Sequence, residues 1–336
     1  MSNEELEMVL DSSECNPTVF SVFVSGMLRK MNIWENVAYL LIVVIGSVFT
    51  CLCLTIVARS TSFHSNLQAP IWCTAFTYFE LAASKIITIV FQVVYLSEDN
   101  VATGGLSLIA WSAATHYHFI FSVLAFPLVV VIERTLATRF LFDYEKMKRR
   151  HILVLMLLFQ YSFGCALTCL TVLNYLRYVS AGVLAGAISF GSLLVFLHIN
   201  RVNKSTLKFV ETKNRDVKFG LSVRYQLREN VKTFQMLKKL FVTFTALIVI
   251  IAFLKTIPMI MEVKASSKYA FREVTDMTVH AGPIYITITL ICAVEGYRNV
   301  FLKMLGYQKR KVVPRDLELR RKEEEIYFEQ LMQSLK

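Results

Sequence analysis

Ionisable side chains interrupt several long apolar runs of this chain, and an uncompensated charge in such surroundings is costly enough to mark a site. Glu80 and Lys85 break the run that begins near Gln68, and Lys255 breaks the run from Leu240 to Met261. His116-Tyr117-His118 lies inside the run from Leu106 to Ile132, and Glu133-Arg134 ends it. Two kinds of chemistry suit these residues. An acid and a base in apolar surroundings can hold each other in a structural lock, or one of them can anchor a polar ligand. Glu80, His116 and Lys255 are the candidates for a ligand pocket or polar lock. Metal ligation by the two histidines is excluded by geometry, because residues two apart on a helix point some 200° away from each other. Cys165 and Cys169, four apart, share a helix face, but small apolar filler in a packed bundle is the reading favoured over a metal pair. No zinc spacing, glycine-rich phosphate loop, HExxH or GxSxG occurs, so neither an enzyme nor a bound cofactor is expected.

The elements that must position these residues follow from composition. Hydrophobic residues make up 55% of the chain and charged residues only 18%, with the apolar ones gathered in blocks. A hydrocarbon core about 30 Å thick needs roughly 20 apolar residues of helix, because lipid offers no partner to a bare backbone. Stretches near 36–58, 68–96, 106–132, 152–175, 179–199, 240–261 and 277–294 qualify, which predicts an all-α bundle of seven transmembrane helices. Glu80 then lies about 12 residues, or roughly 18 Å, along the second helix, near the membrane midplane. Lys85, roughly 140° further around, cannot simply neutralise it. Lys255 stands three residues before Pro258, in the last third of the sixth helix.

Basic residues set the expected orientation. Of 36 Lys and Arg, only Arg29, Lys30, Arg177, Lys264, Lys268 and Arg272 fall on one side, Lys85 and Lys255 lie within helices, and all the rest fall on the other. The N-terminus is therefore expected outside and the C-terminus inside, and the net charge of +11 is spread over loops flanking anionic lipid. A nucleic-acid partner is excluded on that distribution. The segment before residue 36 has no basic start followed by an apolar core, so the first helix is expected to act as signal and anchor. Asn16-Pro17-Thr18 is no glycosylation acceptor, because proline occupies its middle position. An outer tail this short is no ligand-binding domain, so a ligand should be small and bind within the bundle or at its outer rim.

Three features meet at the inner end: Glu133-Arg134, the basic segment 200–239, and EGYRNVFLKMLGYQKRK after the seventh helix. TLKFV and LSVRYQLRENVKTFQMLKKL read as extensions of the fifth and sixth helices. Val300, Phe301, Met304 and Leu305 recur as in a short amphipathic helix, with Gly306 as its stop.

Seven helices, an acid-arginine pair ending the third and an amphipathic helix after the seventh resemble a G-protein-coupled receptor. ERTLATRFLFDYE together with SVRYQLREN resembles the nematode serpentine chemoreceptors of class e, in the superfamily that includes classes a, b and ab. By that resemblance Glu133 and Arg134 match the Asp/Glu-Arg-Tyr motif of rhodopsin-like receptors, with Thr135 in place of the tyrosine. There the pair holds the inactive state and the arginine turns toward the G protein on activation. The sixth helix has FLKTIP where CWxP would stand, and AVEGYRN replaces NPxxY, so Glu295 and Tyr297 receive no role from the resemblance.

The resemblance implies a chemosensory receptor of the plasma membrane, in a sensory neuron at the cilium, with a small-molecule ligand, a heterotrimeric G protein and membrane lipid as partners. The expected organisation is a tail over 1–35, a helix bundle over 36–295, and a cytoplasmic amphipathic helix and charged tail over 296–336. A ligand-gated channel or a transporter is the competing class. The first would reverse the topology, and the second would show paired repeats with broken helices.

Overall fold

A computed structural model of the chain describes residues 33–60, 65–94, 103–140, 150–173, 175–176, 178–212, 221–260 and 265–307. Its helices are α1 (Ile33–Arg59), α2 (Ser65–Val94), α3 (Thr103–Arg139), α4 (Arg150–Val172), α5 (Tyr178–Thr212), α6 (Leu221–Ile260), α7 (Ala265–His280), α8 (Gly282–Ala293) and α9 (Glu295–Met304). Helices α1 to α6 are each long and apolar enough to cross a membrane, and α7 with α8 makes a seventh span bent by 44°. The architecture is a seven-helix transmembrane bundle. The segments 1–32, 141–149 and 308–336 lie outside the described residues, and with them fall the N-terminal tail, most of FLFDYEKMKRR and the charged C-terminal stretch.

Helix α1 shows why lipid is the surrounding phase. Tyr39, Val43, Gly46 and Thr50 are buried on one face, while Leu41, Val44 and Val48, equally apolar in kind, stand half exposed on the other. In water each such Leu or Val would forfeit about 1.5–3 kcal/mol of burial, whereas lipid solvates it. A helix apolar all round belongs in a membrane.

The third helix is the axis of the bundle. Its apolar window is 67% buried against 17% for α5, and it packs on α2, α4, α5 and α6. With 37 residues α3 is roughly 55 Å long, so it outlasts a hydrocarbon core of about 30 Å. The sequence ends this span at Ile132, but α3 continues through Glu133 and Arg134 to Arg139. Helices α5 and α6 also run past their apolar parts, as TLKFV and LSVRYQLREN suggest, to Thr212 and from Leu221. There Val210 and Leu227 are buried together, and Arg228 pairs with Glu211 at 2.9 Å.

The seventh span departs from expectation. Hydropathy starts it at Met277, yet α7 begins at Ala265 and carries Arg272, Glu273 and Asp276. These charges end the apolar run in the sequence but not the helix, because their partners lie inside the bundle. The bend at Ala281 also has a local cause. Pro283 has no N–H to continue the α7 ladder, and the N–H of Ile284 donates to the Ala281 carbonyl at 3.0 Å. The His280 carbonyl accepts instead from the Tyr78 hydroxyl at 3.1 Å. Gly46 makes room for that hydroxyl, since a Cβ there would lie 2.0 Å from it.

Helix α9 ends as a glycine stop should. Gly306 takes φ +80° and the Tyr307 N–H reaches back to the Leu302 carbonyl at 2.9 Å, a Schellman closure.

Candidate functional site

Four arrangements occur among the described residues: a charged cluster on α7, a smaller lock beside α4, an apolar cavity, and the Glu133-Arg134 pair. The first is built on one face of α7, where Glu273, Asp276 and His280 recur at three-to-four spacing. The Tyr39 hydroxyl of α1 donates to Glu273 Oε2 at 2.6 Å. Lys85 of α2 reaches Asp276 Oδ2 at 3.4 Å, and its ammonium lies 3.4 Å from the centre of the Tyr39 ring. His116 Nε2 of α3 stands 3.6 Å from Asp276 Oδ1, and the His116 and His280 rings are 6.0 Å apart. Three helices, α2, α3 and α7, thus meet at the Asp276 carboxylate, and α1 joins them through Tyr39, Glu273 and Lys85. Lys85 is only 7% exposed, so Asp276 and the Tyr39 face are what make its burial tolerable.

Glu80 belongs elsewhere. It pairs with His118, whose Nδ1 lies 2.7 Å from Glu80 Oε2, while His118 Nε2 meets Ser122 Oγ at 3.2 Å. Tyr161 of α4 presents its ring edge to His118 at 4.5 Å. Gly164 closes this contact, since a Cβ there would come within 2.2 Å of Ser122 Oγ. The two histidines point apart, as helical geometry requires, and each finds its own carboxylate. Neither Glu80 nor His116 lines the cavity described next. Glu80 has no contact with Lys255.

The cavity measures about 180 Å³ and opens among α1, α2, α3, α5, α6, α7 and α8. Lys255 is the one charged side chain among the described residues that line it, and its ammonium lies 5.8 Å from the centre of the Tyr117 ring. Tyr78, Val279 and Pro283 also line it, which places the α7–α8 bend in its wall. Phe126 and Phe244 line it as well, with ring centres 5.5 Å apart. Beyond them Phe241 stacks on Phe196 at 4.4 Å, and Phe196 meets Phe234 at 5.0 Å. This ring series follows α5 and α6 toward the end of the bundle that carries Arg134.

At that end Glu133 and Arg134 are 1% and 4% exposed. The Arg134 guanidinium donates twice to the Glu133 carboxylate, through Nε and Nη2. One turn on, Asn203 Nδ2 of α5 donates to Thr138 Oγ1 at 2.9 Å, tying α3 to α5. The pair is therefore packed into the helix interface, and an unpaired charge at such a place costs far more than one in solvent.

A family model described as "Sre G protein-coupled chemoreceptor" matches residues 8–336. The chain belongs to the Sre family. Among curated proteins the chain is similar to serpentine receptor class epsilon-21 of Caenorhabditis elegans, 24% identical over 99% of this chain and 93% of that one. Serpentine receptor class epsilon-31 of the same organism is 23% identical over 90% of this chain and 92% of its own. Class epsilon-45 is 26% identical over 54% of this chain and 49% of its own. Family membership makes this Sre protein a membrane protein of a chemoreceptor family, and receptors of this type are not enzymes.

Within this Sre chain, sequence reading missed the centre of the α7 cluster. Asp276, Glu273, His280 and Tyr39 are not among the candidates read from the sequence, which offers Lys85 no partner either. A signal existed in the 273, 276, 280 spacing, which marks one helical face.

Proposed function

We propose that this Sre protein is a chemosensory receptor of the plasma membrane. A small external chemical binds the apolar cavity, and a heterotrimeric G protein docks at the end that carries Glu133 and Arg134. The observation that carries the reading is a cavity with the α7–α8 bend in its wall and a ring series leading from its floor toward that pair. A ligand shifts the bundle between two arrangements only by binding one better than the other, and an occupant pressing on a bend can do so. In the occupied arrangement Arg134 leaves Glu133 and turns to the G protein, while the basic extensions of α5 and α6 supply the rest of its surface.

The distribution of Lys and Arg supports the orientation, with residues 1–35 outside and 296–336 inside. Residues 36–295 are the bundle, and the sensory cilium is the place where an external chemical reaches it. An epitope tag at each end, stained with and without permeabilisation, tests this placement.

The functional test is a calcium or second-messenger response of expressing cells to a panel of small volatile and soluble compounds. Arg134→Ala should abolish the response with surface expression retained. Ala185→Phe, which fills part of the cavity, should raise the half-maximal concentration about tenfold or more. An unchanged response in both variants would overturn the reading.

A further inference from the structure

The polar groups around the cavity are unevenly committed. The hydroxyls of Thr50, Thr74 and Thr256 donate to the carbonyls of Gly46, Pro70 and Ala252, one turn back, at 2.9, 2.9 and 2.7 Å. Thr287 donates to the Phe49 carbonyl at 3.2 Å and Tyr78 to the His280 carbonyl at 3.1 Å. These five donors are spent on backbone. Lys255 differs. Its three N–H donors have no described carboxylate within ion-pair reach, because Asp276 is held by Lys85 at 3.4 Å and Glu273 faces Arg272 at 3.9 Å. Among the described residues Lys85 and Arg272 meet these two carboxylates, and Lys255, which borders the cavity, makes no such ion pair.

From this we infer that the cavity is built for a small apolar acid, whose carboxylate pairs with the Lys255 ammonium while its hydrocarbon body fills the apolar remainder. The inference rests on the reading that the cavity is the ligand site and names the chemistry that site selects. Size agrees: a dry apolar cavity of about 150 Å³ holds benzene, and this one measures about 180 Å³. An amine would set a second positive charge beside Lys255, and a neutral molecule would bring it no counter-charge, so both are disfavoured against the acid. Lys255 lies five residues before the end of α6 at Ile260, roughly 7.5 Å along the axis, within reach of a ligand arriving from that end.

Three probes of nearly one shape test the inference on purified full-length receptor by titration calorimetry: phenylacetate, phenylacetamide and 2-phenylethylamine. Phenylacetate should bind about 10- to 100-fold more tightly than the amide, the span expected of a hydrogen-bonded charge pair. Lys255→Gln should bring the ratio to about one, Lys255→Arg should keep it, and Lys255→Glu should turn preference to the amine. A ratio near one in the unaltered receptor, no binding of phenylacetate, or a preference that survives Lys255→Gln overturns the inference. That last result would leave Lys255 as an anchor to lipid headgroups. The comparison of three probes on the unaltered protein stands even where a variant fails to fold. A parallel signalling assay separates the two readings. Lys255-dependent binding of the acid with no cellular response to any probe leaves this inference standing and removes the receptor reading. Equal binding of acid and amide with a cellular response does the reverse.

Discussion

Asp276→Asn offers the sharpest test of how the bundle is held together. The substitution keeps the shape of the side chain and removes the charge that Lys85 meets at 3.4 Å. Lys85 is 7% exposed and sits over the Tyr39 ring, so a cation–π contact worth about 2 kcal/mol or more in such surroundings remains to it. Breaking one partner of a buried ion pair costs about 3–5 kcal/mol, because the survivor is left buried without its counter-charge. With the Tyr39 face retained, about 3 kcal/mol is expected for Asp276→Asn, and a similar loss for Lys85→Met, which strands the carboxylate beside His116. Removing both charges together removes the desolvation cost as well. Lys85→Met with Asp276→Leu should therefore lie within about 1 kcal/mol of the parent rather than near the sum of the single losses. Thermal unfolding of the detergent-solubilised receptor reads the cycle: each single variant melts several degrees lower and the double variant near the parent. Additive losses would refute the reasoning, since they would mean that Lys85 and Asp276 do not depend on each other.

Two glycines make independent predictions of the same kind. Gly46→Ala places a Cβ 2.0 Å from the Tyr78 hydroxyl and should cost about 1–3 kcal/mol in thermal stability, with partial recovery in Tyr78→Phe, which removes the clashing oxygen. Gly164→Ala meets Ser122 Oγ at 2.2 Å, so the same loss is expected, with recovery in Ser122→Ala.

Much of the fold is legible in the sequence because a membrane imposes one simple demand. A segment that crosses as a helix must be long and apolar, and α1 to α6 meet that demand openly. The reading stumbles where a span is allowed to be polar. Hydropathy treats Arg272, Glu273 and Asp276 as the loop before the seventh helix, although they are its first half, because it scores each residue as though it faced lipid. The same rule truncates α3 at Ile132. A buried Glu133 and Arg134 neutralise each other, and nothing in their composition separates that state from two solvated charges at a helix end.

The site is less legible for a related reason. Asp276 lies 191 positions from Lys85, and Glu273 lies 234 from Tyr39, so no local pattern joins the partners. What local pattern does supply is direction. The spacing of His116 and His118 sends their rings apart, which excludes one shared metal. The structure turns one toward α7 and the other toward α4, where Asp276 and Glu80 lie at 3.6 and 2.7 Å. With the described acids assigned in this way, Lys85 and His116 are accounted for at Asp276 and His118 at Glu80. Among the described residues Lys255 faces the cavity without an ion pair, and the role proposed for it comes from that subtraction rather than from any motif around it.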